Sequence, residues 1–138
     1  MDVTFFTPRI SADTKAFWDA CREHKLAFQK CSVCGTVRWP AGYLCPECLS
    51  EQFTMTELPQ EGAVESFIVF QKPFHPSLQE TVPYITATVN LADGVRIVTN
   101  IVNSNPDKVR CGARVRLIWI DSETYTRPAA ELMEDETR

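Results

Sequence analysis

Four cysteines have the residue type and spacing of a metal site, because they occur as two close pairs: Cys31 with Cys34, and Cys45 with Cys48. A C-x-x-C turn presents two sulfur ligands from one tight backbone corner, and two such turns supply the four thiolates of a tetrahedral zinc site. Four protein ligands leave no coordination position for water, so we expect this zinc to build structure and not to perform chemistry. The ten residues between the pairs are typical of a zinc ribbon.

Two disulfides are the alternative for these cysteines, and they would require an oxidising compartment. The segment Met1–Phe6 lacks the basic region and apolar run of a secretion signal, so we expect a cytoplasmic location. The remaining cysteines, Cys21 and Cys111, are expected to be small packed residues and not nucleophiles.

The composition describes a globular chain of 138 residues, of which 44% are hydrophobic and 23% charged. No apolar stretch has the length needed to cross a bilayer, so we expect no membrane partner. The net charge of -4 argues against a protein that coats a phosphate backbone, and we expect no nucleic-acid partner. Basic residues nevertheless concentrate in one stretch, at Arg96, Lys108, Arg110, Arg114 and Arg116.

The pattern along the chain predicts the elements that position these residues. Ser11 or Asp13 is expected to cap a helix that continues to about Lys25, with Phe17 and Cys21 in its apolar stripe. A short strand then leads into the ribbon. The expected segments are an N-terminal helical segment over 1–25, the zinc ribbon over 26–58, a barrel over 59–128 and an acidic tail over 129–138.

Alternating apolar residues after Pro59 predict antiparallel strands, with Asp93-Gly94 as the turn of a hairpin. The expected runs are 63–71, 84–91, 95–102 and 114–119, with a weaker fifth run at 125–127. Strands without an intervening helix pattern favour a small closed barrel of the OB type. The predicted fold class is therefore mostly β, with an N-terminal helix, a rubredoxin-like zinc ribbon and a C-terminal OB-fold barrel.

The order of these motifs resembles domain-of-unknown-function family 35. In the ribbon half the resemblance lies in Phe17-Trp18, the two cysteine pairs and Trp39-Pro40. In the barrel half it lies in Phe74-His75-Pro76, Val82-Pro83-Tyr84, Asp93-Gly94-Val-Arg96 and Val109-Arg-Cys-Gly112-Ala-Arg114-Val115. The resemblance extends from about residue 13 to residue 121.

The resemblance implies a non-catalytic, acyl-CoA-binding subunit that associates with a thiolase-like enzyme or a thiolase-type aldolase. The partner would hold the catalytic residues, and this chain would help to form the acyl-CoA channel of a hetero-oligomer. Phe17 and Trp18 are expected at the partner interface, with a cover for the chain's own barrel as the alternative.

The candidate acyl-CoA site combines the long connection over 72–83 with the basic stretch. His75 is suited to hydrogen-bond a thioester carbonyl or a pantetheine amide, and Tyr84 to line the same channel. The arginines suit phosphate oxygens. The alternatives are a histidine satisfied by backbone, a packed tyrosine and a solvated strand face. The predicted contacts are Phe74, His75, Pro76, Tyr84, Arg96, Arg114 and Arg116.

Two other function classes remain open from the sequence. Ribbons and OB folds both bind single-stranded nucleic acids, but the strands over 84–102 contain only Tyr84 and Arg96 as aromatic and basic residues. A stand-alone acyl-CoA hydrolase or hydratase would need a general base with a positioned partner, and the sequence shows no such motif.

Overall fold

The structure, a computed structural model, describes residues 10–72, 82–92 and 95–133 of the chain. These residues form one α-helix and eight strands. The elements are α1 (Lys15–Arg22), β1 (Ala27–Cys31), β2 (Val37–Arg38), β3 (Phe53–Glu57), β4 (Glu61–Phe70), β5 (Tyr84–Ala92), β6 (Val95–Ile101), β7 (Arg114–Asp121) and β8 (Thr126–Leu132).

Helix α1 is shorter than predicted, and its N-cap is neither of the two predicted residues, Ser11 and Asp13. Thr14 precedes the helix without a side-chain cap bond, and the first turn is tied back to the carbonyl oxygen of Ser11. The helix ends at Arg22 because His24 adopts a left-handed conformation with φ 60°, so Lys25 already lies on the path toward β1. Phe17 and Cys21 are buried, as the apolar stripe predicts.

The ribbon is a three-stranded antiparallel sheet in the order β2-β1-β3. Strand β1 is central, and its last residue is the first zinc-ligand candidate, Cys31. Gln29 lies opposite Arg38 on one side and Met55 on the other. The sheet therefore fixes the first cysteine pair at the end of a paired strand, while the second pair lies in the connection between β2 and β3.

The remaining strands close a five-stranded barrel in the order β4-β5-β6-β8-β7. The alternation predicted for β5 is confirmed: Ile85, Ala87, Val89 and Leu91 are all buried in the interior. The ladder between β6 and β8 is parallel, and the other barrel pairs are antiparallel. A closed barrel leaves no long strand edge exposed to pair with another chain.

The last strand is longer than the sequence indicates. Strand β8 continues to Leu132, and Ala129 and Ala130 are fully buried. The barrel boundary predicted at residue 128 is therefore wrong, because four residues assigned to the acidic tail pair with β7.

A polar clamp joins the end of α1 to the barrel. Arg22 donates to the carbonyl oxygens of Ser122 and Glu123 and to the hydroxyl of Thr126. The ring of His24 stacks on Trp119 with centroids 5.6 Å apart, and its Nε2 lies 3.0 Å from the carboxylate of Asp121. Helix α1 also packs against β1, so the clamp connects the ribbon to the barrel through the helix.

One apolar core connects these parts. Phe17, Cys21, Leu26 and Phe28 belong to the same buried cluster as the barrel interior. Among the described residues, no helix is long and apolar enough to cross a membrane.

Candidate functional site

The four candidate metal ligands converge at one end of the ribbon. Their sulfur atoms all lie within 4.8 Å of one another, and all four are free thiols. Two sulfur pairs, Cys31 with Cys48 and Cys34 with Cys45, are 3.5 Å apart. A disulfide needs about 2.05 Å, whereas four ligands 2.3 Å from a tetrahedral zinc lie about 3.8 Å apart. The arrangement therefore fits a zinc ion.

Backbone N–H groups favour the ionised form of the first cysteine in each pair. The N–H groups of Cys34 and Val33 donate to the sulfur of Cys31 at 3.4 Å and lower the pKa of that thiol to about 6. Burial opposes ionisation of Cys45, but the N–H groups of Cys48 and Glu47 lower its pKa overall.

The fourth thiol is held in its neutral form by its neighbours. The N–H of Ser50 lowers the pKa of Cys48, but burial and hydrogen bonds with the other three sulfurs raise it to about 12. Four adjacent sulfurs cannot all ionise without a positive charge between them. A zinc ion supplies that charge, and the donor set has the softness and geometry that zinc prefers.

The two cysteine pairs have matching geometry but different residues at one position. Gly35 follows the first pair with φ +81°, and Leu49 follows the second with φ +67°. The N–H of each closes its turn on the carbonyl oxygen of the first cysteine, at 3.0 and 2.8 Å. Left-handed backbone suits glycine, so leucine costs about 1–2 kcal/mol at this position. The side chain gains little from packing within the chain to offset this cost, because it is 70% exposed.

Leu49 is part of an exposed apolar surface that the sequence reasoning missed. Val33, Leu44 and Leu49 each adjoin a ligand cysteine, Tyr43 precedes Leu44, and these four side chains are between 49% and 70% exposed. We call this set the ribbon tip. The sequence contained a signal that predicts this exposure. Apolar residues beside zinc ligands in so small a ribbon have little to pack against.

The arginines predicted to meet phosphates lie on the outer wall of the barrel, and each faces a glutamate. Arg96 contacts Glu65 at 2.8 Å, and the corresponding pairs are Arg114 with Glu61 at 3.6 Å and Arg116 with Glu131 at 2.9 Å. Arg96, Asn90, Ala63 and Arg114 are successive cross-strand partners, so the first and last lie three strand spacings, about 14 Å, apart. The expected basic cluster is therefore a row of mixed charge.

An apolar strip connects this row to Tyr84. Tyr84 stacks on Phe70 with centroids 4.7 Å apart, and it lies about 20 Å along β5 from the arginine row. Between them Ile68 and Val98 are 60% and 48% exposed, opposite adjacent outward threonines of β5. Neither residue was predicted, because an apolar residue on the outer face of a strand cannot be told from a core residue without the register.

The other predicted residues fall in three places. Phe74, His75 and Pro76 lie outside the described residues. Phe17 is buried and packs against Phe28, so it covers the chain's own core, whereas Trp18 is half-buried and meets Tyr125 edge to face. An interface role therefore remains a prediction for Trp18.

The two cysteines outside the cluster differ. Cys21 is fully buried, and burial raises the pKa of its thiol to about 12, as expected of a packed residue. Cys111 is exposed before Gly112, so its predicted packing is wrong.

The fold and the cysteine cluster together define a zinc-ribbon protein with an appended OB-type barrel. Residues 18–54 match the family described as "ChsH2, rubredoxin-like zinc ribbon domain", and residues 55–119 match "ChsH2, C-terminal OB-fold domain". The solved structure of the Ltp2-ChsH2(DUF35) aldolase contains a chain that is 35% identical, with a TM-score of 0.82 over 91% of this chain and 98% of that chain. This protein therefore belongs to the DUF35 family of zinc-ribbon and OB-fold chains.

Two curated relatives carry different enzyme names. A probable enoyl-CoA hydratase alpha subunit of Thermomonospora curvata is 37% identical over 84% of this chain, which spans only 36% of that relative. The benzoylsuccinyl-CoA thiolase subunit BbsA of Thauera aromatica is 28% identical over 84% of this chain and 75% of its own length.

Proposed function

We propose that this chain is a non-catalytic subunit of an acyl-CoA enzyme. Its ribbon docks on a thiolase-like enzyme or a thiolase-type aldolase, and its barrel wall forms part of the acyl-CoA channel. The observation that carries the proposal is the ribbon tip, because exposed apolar side chains beside a metal cluster form a rigid surface for a protein partner.

The ribbon tip has the properties of an interface anchor. Tyr43 and Leu49 project from backbone that the cysteine pairs hold, so docking would order few additional torsions. The left-handed conformation of Leu49 is a local cost that a glycine would avoid, and the cost is offset if the side chain fills a pocket of the partner. Apolar and aromatic anchors of this kind contribute about 1–3 kcal/mol each at protein interfaces.

The names of the relatives favour a non-catalytic role for this chain over a catalytic one. They are named as a hydratase subunit, a thiolase subunit and an aldolase, which are three different reactions. One shared domain is unsuited to catalyse all three, but it can serve all three by binding what their substrates have in common. Two of the names include coenzyme A.

Zinc would stabilise the ribbon and take no part in the reaction. Cys31, Cys34, Cys45 and Cys48 would hold it and complete its coordination. The zinc would thereby keep the ribbon tip in one shape.

The barrel wall fits the two halves of an acyl-CoA molecule. The strip from Tyr84 past Ile68 and Val98 offers apolar surface to a narrow acyl-pantetheine arm, and Arg96 stands where the phosphates would follow. The ion pair of Arg96 with Glu65 is exposed, and such pairs contribute little, so a doubly charged phosphate can displace the carboxylate. His75 would provide the polar contact from the connection before Tyr84.

Docking is tested by titrating a purified thiolase-like enzyme from the same organism with zinc-loaded variants of this chain. Leu49→Ser should weaken the complex by about 1–3 kcal/mol, and Ile10→Ser, which changes an exposed apolar residue outside both the ribbon tip and the barrel wall, should not. Trp18→Ala should weaken it by a similar amount if Trp18 is also in the interface. Equal affinities for wild type and Leu49→Ser would remove the ribbon tip from the interface.

Ligand binding is tested by titrating the complex with acetyl-CoA at two ionic strengths. Affinity should fall with added salt, and it should fall further for Arg96→Ala and His75→Ala. Lys15→Ala is the control, because it removes one exposed charge from α1 and none from the barrel strands. Binding that is indifferent to salt and to both variants would place acyl-CoA wholly on the partner.

A further inference from the structure

Arg38 is a buried cation whose local partners are all uncharged. Its side chain is 7% exposed, and its Nε donates to the side-chain oxygen of Gln29 at 2.6 Å. Nη2 reaches the carbonyl oxygen of Gly42 at 3.4 Å, and Nη1 is buried without a hydrogen-bond partner. The guanidinium carbon lies 5.5 Å from the ring centroid of Phe53.

A buried charge in this setting needs a compensating charge. Every carboxylate that forms an ion pair in the described part of the chain does so with a residue other than Arg38. Burying an isolated cation costs several kcal/mol, so natural proteins pair it or place it in a favourable field. Gln29, a neutral acceptor, is 2% exposed and leaves the positive charge of Arg38 undiminished.

The metal centre would supply a concentration of negative charge on the same sheet as Arg38. Zn²⁺ with four thiolates carries a net charge of two minus. Gln29, which is paired with Arg38, and Cys31 are two residues apart on β1, and Phe53 is the cross-strand partner of Cys31. This register puts the Cα atoms of Arg38 and Cys31 about 8 Å apart, which sets the scale of the distance between the guanidinium and the cluster at about 10 Å.

We propose that Arg38 is the built-in countercharge of the zinc tetrathiolate and raises the affinity of the ribbon for the metal. The inference rests on the zinc site of the proposed function. One positive charge acting on two net negative charges at about 10 Å, with an effective dielectric constant of about 20, changes a dissociation constant on the order of a hundredfold. A neutral side chain at this position would make the ribbon release zinc more readily.

The test measures the zinc dissociation constant of the full chain at fixed pH by competition with a chromogenic chelator. Arg38→Gln keeps donors but removes the charge, and it should bind zinc on the order of a hundredfold more weakly. Arg38→Lys keeps the charge and should stay within about tenfold of wild type. Arg116→Gln is the control, because it removes the same charge from the exposed barrel wall.

Gln29→Glu separates charge from geometry. A carboxylate there still accepts the bonds from Arg38 and from the N–H of Gly42 and loses only the long bond, 3.3 Å, that the Gln29 amide donates to the carbonyl oxygen of Asp13. It neutralises the arginine, so it should weaken zinc binding at least tenfold. This variant also serves if Arg38→Gln fails to fold, as judged by circular dichroism.

The outcomes discriminate between explanations. Weak binding by Arg38→Gln and Gln29→Glu with near-normal binding by Arg38→Lys supports the countercharge. Equal losses for Arg38→Gln and Arg38→Lys, or unchanged binding by Gln29→Glu, would mean that Arg38 acts only by holding the loop at Gly42. A wild-type chain without zinc would instead overturn the metal site itself.

Discussion

Replacing Thr126 with valine should destabilise the chain by opening the clamp between α1 and the barrel. Thr126 is 1% exposed, and its hydroxyl donates to the carboxylate of Asp121 at 2.7 Å while it accepts from Arg22 at 2.9 Å. Valine has nearly the same shape, so the change removes two hydrogen bonds and leaves the packing volume intact. The loss can therefore be assigned to the polar contacts.

The magnitude follows from what the two partners retain. Arg22 keeps its bonds to the carbonyl oxygens of Ser122 and Glu123, and Asp121 keeps its contact with His24. Both partners are also open to water, so each lost bond should cost about 1 kcal/mol and not the full penalty for a buried charge. We expect the free energy of unfolding to fall by about 2 kcal/mol.

The assay is urea unfolding of the zinc-loaded chain, monitored by tryptophan fluorescence, to which Trp119 beside the clamp contributes. With a slope of about 2 kcal/mol per molar urea, the midpoint should fall by about 1 M. Thr54→Val is the matched control, because Thr54 is exposed on β3, and its midpoint should hardly move. A Thr126→Val midpoint equal to that of wild type would refute the role of the clamp in stability. An equal loss in Thr54→Val would show that the loss follows from replacing any threonine with valine and not from opening the clamp.

Three further predictions concern the barrel, the metal and pH. Gly62→Ala should lower the free energy of unfolding by about 3 kcal/mol, because a Cβ would collide with a carbonyl oxygen of β5. Gly42→Ala should change it little, because a Cβ there meets open space, and thermal unfolding of both variants checks this. Cys45→Ser should lose zinc and unfold the ribbon, as measured by metal analysis and circular dichroism, and an unchanged metal content would contradict the site. The Thr126 hydroxyl and His24 lower the pKa of Asp121, and Arg116 and Asn103 lower the pKa of Glu131. Because both carboxyl pKa values are lowered in the folded chain, the stabilisation should be complete above the ordinary carboxyl pKa of about 4 and should decline as pH falls through the lowered values. Asp121→Asn should make that decline in the free energy of unfolding shallower. A pH profile identical to that of wild type would contradict a contribution from Asp121.

The sequence predicted the features that depend on local spacing. The two cysteine pairs predict the ribbon because four ligands at fixed intervals have few ways to meet. The alternation along β5 predicts the barrel interior because side chains repeat every second residue of a strand. Both are confirmed.

Features that depend on distant partners were not predictable. The end of α1 at Arg22 results from a left-handed His24, a conformation that non-glycine residues seldom adopt. Pro128 argues against a strand, yet β8 continues through it, opposite Trp119. The pairing of Arg96 with Glu65 crosses 31 residues, so the charge of that surface could not be inferred from the composition of one stretch.

The most direct test of the proposed role is acyl-CoA turnover by three samples: this chain alone, a thiolase-like enzyme from the same organism, and the two together. The two samples that contain this chain should hold one zinc per copy of it, so that a missing metal does not affect the comparison. We expect no turnover by this chain alone and a gain in activity or stability of the partner when the two are combined. Robust turnover by this chain alone, abolished by His75→Ala, would contradict it.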